Sequence, residues 1–212
     1  TLDAGNRDII VKGLPASPGN AAGKAHVIIN PEDIDEFKEG EILVTAMTAP
    51  DWVPAMKKAK AIVTDAGGMT CHASIVSREL GIPCIVGTKS RSHEATTSIK
   101  DGQMITVDAT NGIVYDGVLE DIVKKPEAQV STGAAAEYVP VTGTKIYMNL
   151  GDPDLAQKYG VLPCDGIGLM REEFIWTTFI HEHPLHLIET GRSDFAVNTL
   201  AEGMRKVCQA LA

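Results

Sequence analysis

Between residues 61 and 83 the sequence spells out a strand, a glycine turn and a helix. Ala61 to Thr64 is a short apolar run, and Gly67-Gly68 permits a sharp turn and close approach of a ligand to the backbone. His72 to Leu80 then has helical length; Gly81 stands where a C′ residue belongs, and Pro83 prevents continuation. Thr70 or Cys71 falls near the N-cap, where a short polar side chain can satisfy an orphan amide. His72 is thereby placed in the first turn, beside unpaired amides and the positive end of the helix dipole, an environment suited to an anion. A histidine that carries a phosphoryl group needs a neutral ring nitrogen, donors for the phosphoryl oxygens and space for in-line attack, and this placement offers a candidate for each. The plainer alternative is a histidine that starts a helix and packs. The coincidence of Gly67-Gly68, a cap residue and clean helix punctuation favours the carrier.

Around this unit, residues 9 to 123 alternate short apolar segments with turns. Ile9 to Val11, Lys24 to Asn30, Glu41 to Thr45, Pro83 to Gly87 and Met104 to Asp108 are further expected strands. Asn111-Gly112 between Ile105-Thr106-Val107 and Ile113-Val114-Tyr115 signals a hairpin. Expected helices are Pro31 to Phe37, Asp51 to Ala59 with Asp51 as N-cap, and Ser92 to Ala95; Asn20 and Gly23 are read as turn formers. Such a mixture indicates an α/β domain of the β/β/α kind. A 44% hydrophobic content with 5% aromatics implies an aliphatic core. The net charge of −9 and the lack of basic runs beyond Lys57-Lys58 and Lys124-Lys125 argue against a nucleic-acid surface. No apolar stretch approaches the roughly 20 residues that span a bilayer, and the first residues do not read as a signal peptide. Cys71, Cys84, Cys164 and Cys208 form no CxxC pair, so a reducing cytoplasm is the expected setting.

Gly67-Gly68-Met69-Thr70-Cys71-His72-Ala73-Ser74-Ile75-Val76-Ser77-Arg78 resembles the phosphohistidine signature of the phosphoenolpyruvate-utilising enzymes. Cys71 before the histidine, Arg78-Glu79-Leu80-Gly81-Ile82-Pro83 after it, Leu43 to Trp52 and Gly13 to Gly19 are most similar to the synthase branch of that family. The resemblance implies a swivelling phosphohistidine domain over residues 1–123, a hinge over 124–140, and over 141–212 the N-terminal part of a phosphoenolpyruvate-binding α/β barrel of TIM type, left incomplete. By composition alone the 124–140 segment reads as a linker or, alternatively, as an ordinary ordered loop.

In the second part, Lys145 to Leu150 is an expected strand, Asp152 caps a helix to Tyr159, and Asp165 to Met170 is a second strand with Arg171 at its C-terminal end. Functional residues of α/β barrels sit at strand C-termini. By resemblance Arg171 binds the phosphate of phosphoenolpyruvate, for which its planar fork is suited; the alternative is an arginine paired with an acid at a strand end. Ser193 to Leu211 reads as one helix, and a full barrel of about 250 residues does not fit within residues 141–212. His181-Glu182-His183-Pro184-Leu185-His186 holds three imidazoles, but its spacing matches no established metal motif and Pro184 is expected to break the helical face; no metal site is assigned.

The resemblance implies that ATP phosphorylates His72 with release of AMP and phosphate, and that pyruvate enolate then takes the phosphoryl group to give phosphoenolpyruvate. Gly67, Gly68, Thr70 and Cys71 would support the phosphoryl oxygens. Magnesium would be held in the complete enzyme by residues outside this chain, and the expected partners are an ATP-grasp domain, the rest of the barrel, and pyruvate or phosphoenolpyruvate. Thr70 matches a position targeted by a regulatory kinase in some members of the family. Pyruvate phosphate dikinase, a stand-alone phosphocarrier and a non-enzymatic, homo-oligomeric assembly module are the rival readings.

Overall fold

The computed structural model describes residues 8–90, 93–124, 143–180 and 182–211. The chain divides into two compact units, Thr1–Glu127 and Ala128–Ala212. Apart from Lys124, the segment 124–140 expected to be a linker lies outside the described residues.

The first unit contains, in order, β1 (Ile9–Lys12), β2 (Leu14–Ser17), β3 (Asn20–Ile28), β4 (Ile42–Thr45), α1 (Val53–Lys58), β5 (Ala61–Thr64), α2 (His72–Leu80), β6 (Cys84–Val86), α3 (Ala95–Ser98), β7 (Met104–Asp108), β8 (Ile113–Asp116) and α4 (Glu120–Val123). The strands form one eight-stranded sheet in the order β1-β8-β7-β3-β4-β5-β6-β2. Its middle, β3-β4-β5-β6, is parallel, and both flanks are antiparallel. Strands β4, β5 and β6 are buried at every position, which is why they read as unbroken apolar runs. Ile42, Val44, Ala61, Val63 and Ile85 join Ile105, Val107 and Val114 in one cluster. Helix α2 lies against β2, β5 and β6 and contributes Val76 to the buried set.

Several elements differ from expectation for identifiable reasons. Strand β3 begins at Asn20 rather than Lys24, so Asn20 and Gly23 are ladder residues opposite Asp108 and Ile105 and not turn formers. Strand β2 is masked in the sequence by Pro15, which an edge strand tolerates because one row of its N–H groups has no ladder partner. The Pro31–Glu36 segment is a 3₁₀-helix. A 3₁₀ turn, Pro50–Trp52, precedes α1, and Asp51 lies inside that turn instead of capping a helix. Helix α3 spans Ala95–Ser98, C-terminal to the expected Ser92 to Ala95.

The second unit contains β9 (Tyr147–Leu150), α5 (Ala156–Tyr159), β10 (Gly166–Met170), α6 (Glu173–Ile175), α7 (Pro184–Glu189) and α8 (Ser193–Ala210). Strands β9 and β10 pair in parallel. Asp152 caps the 3₁₀ turn Pro153–Leu155 ahead of α5, its carboxylate accepting the Asp154 amide at 2.9 Å. Leu150, Ala156 and Val207 pack together, as do Ile180, Leu187 and Ala196. Pro184 does not break a helix but opens α7, where a missing N–H costs nothing. His183 precedes it as N-cap, its Nδ1 accepting the Leu185 amide at 3.2 Å.

Candidate functional site

The parallel strands β4 and β5 continue side by side for two residues beyond their ends. The Asp65 amide donates to Thr45 O at 3.1 Å and the Ala66 amide to Ala46 O at 3.0 Å. Each strand then delivers one side chain to the C-terminal edge of the sheet, the edge at which open α/β sheets form their sites. From the β5 side comes His72, half-buried at the first position of α2; from the β4 side comes Thr48, buried. Thr48 Oγ1 lies 2.9 Å from His72 Nδ1. A hydroxyl both donates and accepts, so it engages Nδ1 whether or not that nitrogen carries the proton. When Nδ1–H donates to Thr48, the lone pair of the neutral ring lies on Nε2, which is then the nucleophilic nitrogen.

The turn between β5 and α2 is held from several sides. Thr64 Oγ1 donates to Ala66 O at 2.7 Å, while Gly68 O accepts from Ser74 Oγ at 2.7 Å and from the Cys71 amide at 3.1 Å. Arg78 reaches back along α2, donating from Nε to Ala16 O at 2.8 Å and from its other arm to Met69 O. Gly67 has a φ of +117°, and Gly87 (φ +66°) crosses so closely that a Cβ there would meet Gly67 O at 2.8 Å. The buried Asp65 carboxylate accepts from the Thr96 amide at 3.1 Å, Thr96 Oγ1 at 2.5 Å and Thr88 Oγ1 at 3.4 Å, fastening the start of the turn to α3 and to the end of β6.

Cys71 is the N-cap of α2 but makes no capping hydrogen bond through its side chain, contrary to the expectation of a polar cap. Its thiol contacts Ser74 Oγ at 3.3 Å. Burial alone would raise the Cys71 thiol, but the Ser74 hydroxyl and the amides of Ser74, Gly68 and Ala73 outweigh it and hold the group below its ordinary value. Cys84, fully buried on β6, is pushed up by that burial to about 12. Iodoacetamide at pH 8 is therefore expected to alkylate Cys71 in the folded chain while leaving Cys84 intact, as read by peptide mapping. For stability, the folded thiol of Cys84 ionises near 12 against 9.0 for a free thiol, so its contribution is intact below pH 9 and is lost as pH rises towards 12.

Of the residues expected to support a phosphoryl group, Gly67, Gly68, Thr70 and Cys71 all lie in the turn leading to His72, with Thr70 exposed. Thr48 and the long reach of Arg78 escaped the sequence reading. The available signal for Thr48 was its place just past an apolar strand that runs parallel to the one before His72. In the second unit, Arg171 follows β10; its amide donates to Leu150 O at 3.2 Å, and its Nε is buried with no hydrogen-bond partner among the described residues. In the histidine-rich segment, Glu182 pairs with Arg192 and His183 caps α7, while His181 lies outside the described residues. Among the described residues no group of three or more His, Cys, Asp or Glu side chains is arranged to hold a metal ion.

Residues 37–112 match the family described as PEP-utilising enzyme, mobile domain, and residues 125–212 match PEP-utilising enzyme, PEP-binding domain. The chain belongs to the phosphoenolpyruvate-utilising enzymes. Among curated proteins, it is 57% identical to the probable phosphoenolpyruvate synthase of Staphylothermus marinus, with 96% of this chain and 25% of that protein covered. It is 49% identical to the phosphoenolpyruvate synthase of Aeropyrum pernix and 48% identical to that of Pyrococcus furiosus, at the same coverages of 96% and 25%. The chain thus spans about a quarter of the length of these relatives. Among the described residues no helix is long and apolar enough to cross a membrane.

Proposed function

We propose that this chain is the phosphoryl-carrying part of a phosphoenolpyruvate synthase, with His72 Nε2 as the atom that forms the N–P bond. The observation that carries this reading is the 2.9 Å contact between Thr48 Oγ1 and His72 Nδ1 at the edge of the parallel strands, which orients the ring and suits the tautomer whose lone pair lies on Nε2. In the first half-reaction the Nε2 lone pair attacks the β-phosphorus of ATP and the α–β P–O bond breaks, releasing AMP; water then cleaves the β–γ P–O bond, releasing inorganic phosphate and leaving one phosphoryl group on the ring. The ring holds its remaining proton at Nδ1, against Thr48. In the second, the enolate oxygen of pyruvate attacks the same phosphorus, the N–P bond breaks, and the electron pair returns to Nε2, which regenerates the neutral imidazole. A protonated Nδ1 makes the ring a better leaving group, and the Thr48 hydroxyl accepts that proton's hydrogen bond without further rearrangement.

Gly67, Gly68, Thr70 and Cys71 are assigned to the support of the phosphoryl oxygens. Arg171, with its unpartnered buried Nε, is assigned to the phosphate of phosphoenolpyruvate, where a guanidinium gives paired, charge-assisted hydrogen bonds. The second unit is read as part of an α/β barrel, supported by the parallel pairing of β9 with β10 and by the position of Arg171 after β10. Magnesium, which suits transfer between polyphosphates, finds no suitable group of acids among the described residues, and no step is assigned to it.

The test is treatment of the chain with phosphoramidate, followed by mass-spectrometric mapping of acid-labile phosphate, in buffer and in urea. Selective labelling of His72 over the other five histidines, only in buffer, supports the carrier. Equal labelling of all histidines in both conditions overturns it. In the same assay Thr48→Val, which keeps the shape but removes the hydroxyl, is expected to slow labelling of His72 roughly tenfold or more, the scale seen when an orienting partner of a reactive imidazole is lost.

A further inference from the structure

The turn before His72 has three carbonyls pinned by side chains of the surrounding body. Ala66 O is taken by Thr64 Oγ1, Gly68 O by Ser74 Oγ and Met69 O by Arg78. A trans peptide is planar, with its N–H opposed to its C=O. Fixing Gly68 O against the buried Ser74 therefore turns the Met69 N–H to the opposite side, and fixing Met69 O against Arg78 does the same for the Thr70 N–H. Neither of these amides donates to the protein among the described residues. By contrast, the first turn of α2 carries the Cys71 thiol beside it, with Sγ 3.3 Å from Ser74 Oγ. Two adjacent N–H groups with no protein acceptor among the described residues thus stand two and three residues before the nucleophile, the elements from which backbone anion sites are made.

We propose that the Met69 and Thr70 amides, rather than the first-turn amides of α2, hold the phosphoryl oxygens on His72, and that Arg78 is the positioning residue that aims them. This rests on His72 being the carrier. Arg78 suits the task because one planar group must satisfy two carbonyls on separate segments, Ala16 O on β2 and Met69 O in the turn. A lysine ammonium is a point charge on a flexible stem and does not reproduce that fixed fork. The guanidinium also links the turn to an edge strand of the sheet, so the aim of the two amides is referred to the body rather than to the turn itself.

The proposal is tested on the whole chain with three measurements: the phosphoramidate labelling rate of His72, the melting temperature, and amide proton shifts on phosphorylation. The expected result is that the largest downfield shifts fall on Met69 and Thr70, and that Arg78→Lys slows labelling on the order of tenfold or more, as a misaimed oxyanion donor does. A purely structural role would lower the melting temperature of Arg78→Lys and leave the labelling rate of the folded protein unchanged, which overturns the proposal. Full rescue by lysine would reduce Arg78 to a local charge and overturns it as well. Largest shifts at His72, Ala73 and Ser74 would assign the phosphoryl group to the end of α2 instead. Should Arg78→Lys fail to fold, the wild-type amide shifts still decide. Failure of the wild-type chain to label His72 selectively is a separate outcome, and it removes the carrier reading itself.

Discussion

His72→Ala is expected to abolish selective phosphorylation of the folded chain, with no labelled site replacing it. His72 combines a ring nitrogen held by a buried hydroxyl with a place at the end of a parallel strand pair, and other described histidines are placed differently. His26, for example, is committed through Nδ1 to Glu41 Oε2 at 2.7 Å. The substitution removes a half-buried side chain from the surface end of α2, where alanine is a good helix residue, so the fold should survive. The Thr48 hydroxyl loses one partner, at a cost on the order of 1 kcal/mol. In the complete enzyme the same change should eliminate both half-reactions, measured as ATP-dependent AMP release and as phosphoenolpyruvate formation. Retained transfer of phosphate to the chain in this variant would sink the assignment.

Gly67→Ala is expected to be the most damaging change in the turn for stability. At φ +117° an L side chain is strained whatever the surrounding space, at a cost of roughly 1–3 kcal/mol. The added Cβ would also meet Cys71 Sγ at 2.7 Å and lie 3.6 Å from Val86 Cβ, and Gly87 presses on the other side of the same peptide, so the loop has little freedom to relax. Together these give an expected loss of about 2–4 kcal/mol, read as a lower denaturant midpoint with unchanged slope. Gly68→Ala is the matched control. Its Cβ would have no neighbour within 4 Å and its φ is not positive, so its effect on the midpoint should be small. Equal effects of the two substitutions would mean that the crossing of Gly67 and Gly87 is not what constrains the turn.

The two glycines illustrate what sequence could and could not convey. Gly67 and Gly68 are equivalent as letters, and only the fold, through the φ of +117° and the nearness of Cys71 Sγ, separates the strained position from the open one. The strand, turn and helix around His72 were legible because their signals are local: an apolar run, two glycines, then Gly81 and Pro83 as stops. The αL conformation of Gly81 at φ +68° agrees with that punctuation. Thr48 was not legible, because its relation to His72 exists only through the parallel pairing of β4 and β5. Arg78 was visible as part of a motif, but its two carbonyl partners lie on different segments, one of them the proline-containing strand that local pattern did not reveal. Asp65 is a similar case, a carboxylate whose three donors come from residues 88 and 96. The place of Arg171 after a strand is legible in the sequence; that its Nε is buried without a protein partner among the described residues is not.

The edges of the large sheet carry a consequence for behaviour in crowded solution. Its outermost strands, β1 and β2, are each only four residues long. β1 is broken by a register shift between Ile9 and Val11 and ends on an exposed lysine, and β2 carries Pro15, which has no N–H to offer. Such edges are poor templates for another chain's strand. A sheet whose rim offers no long, regular backbone ladder is protected against self-addition. Self-association through the rim is discouraged by short, kinked and proline-blocked strands rather than by charge.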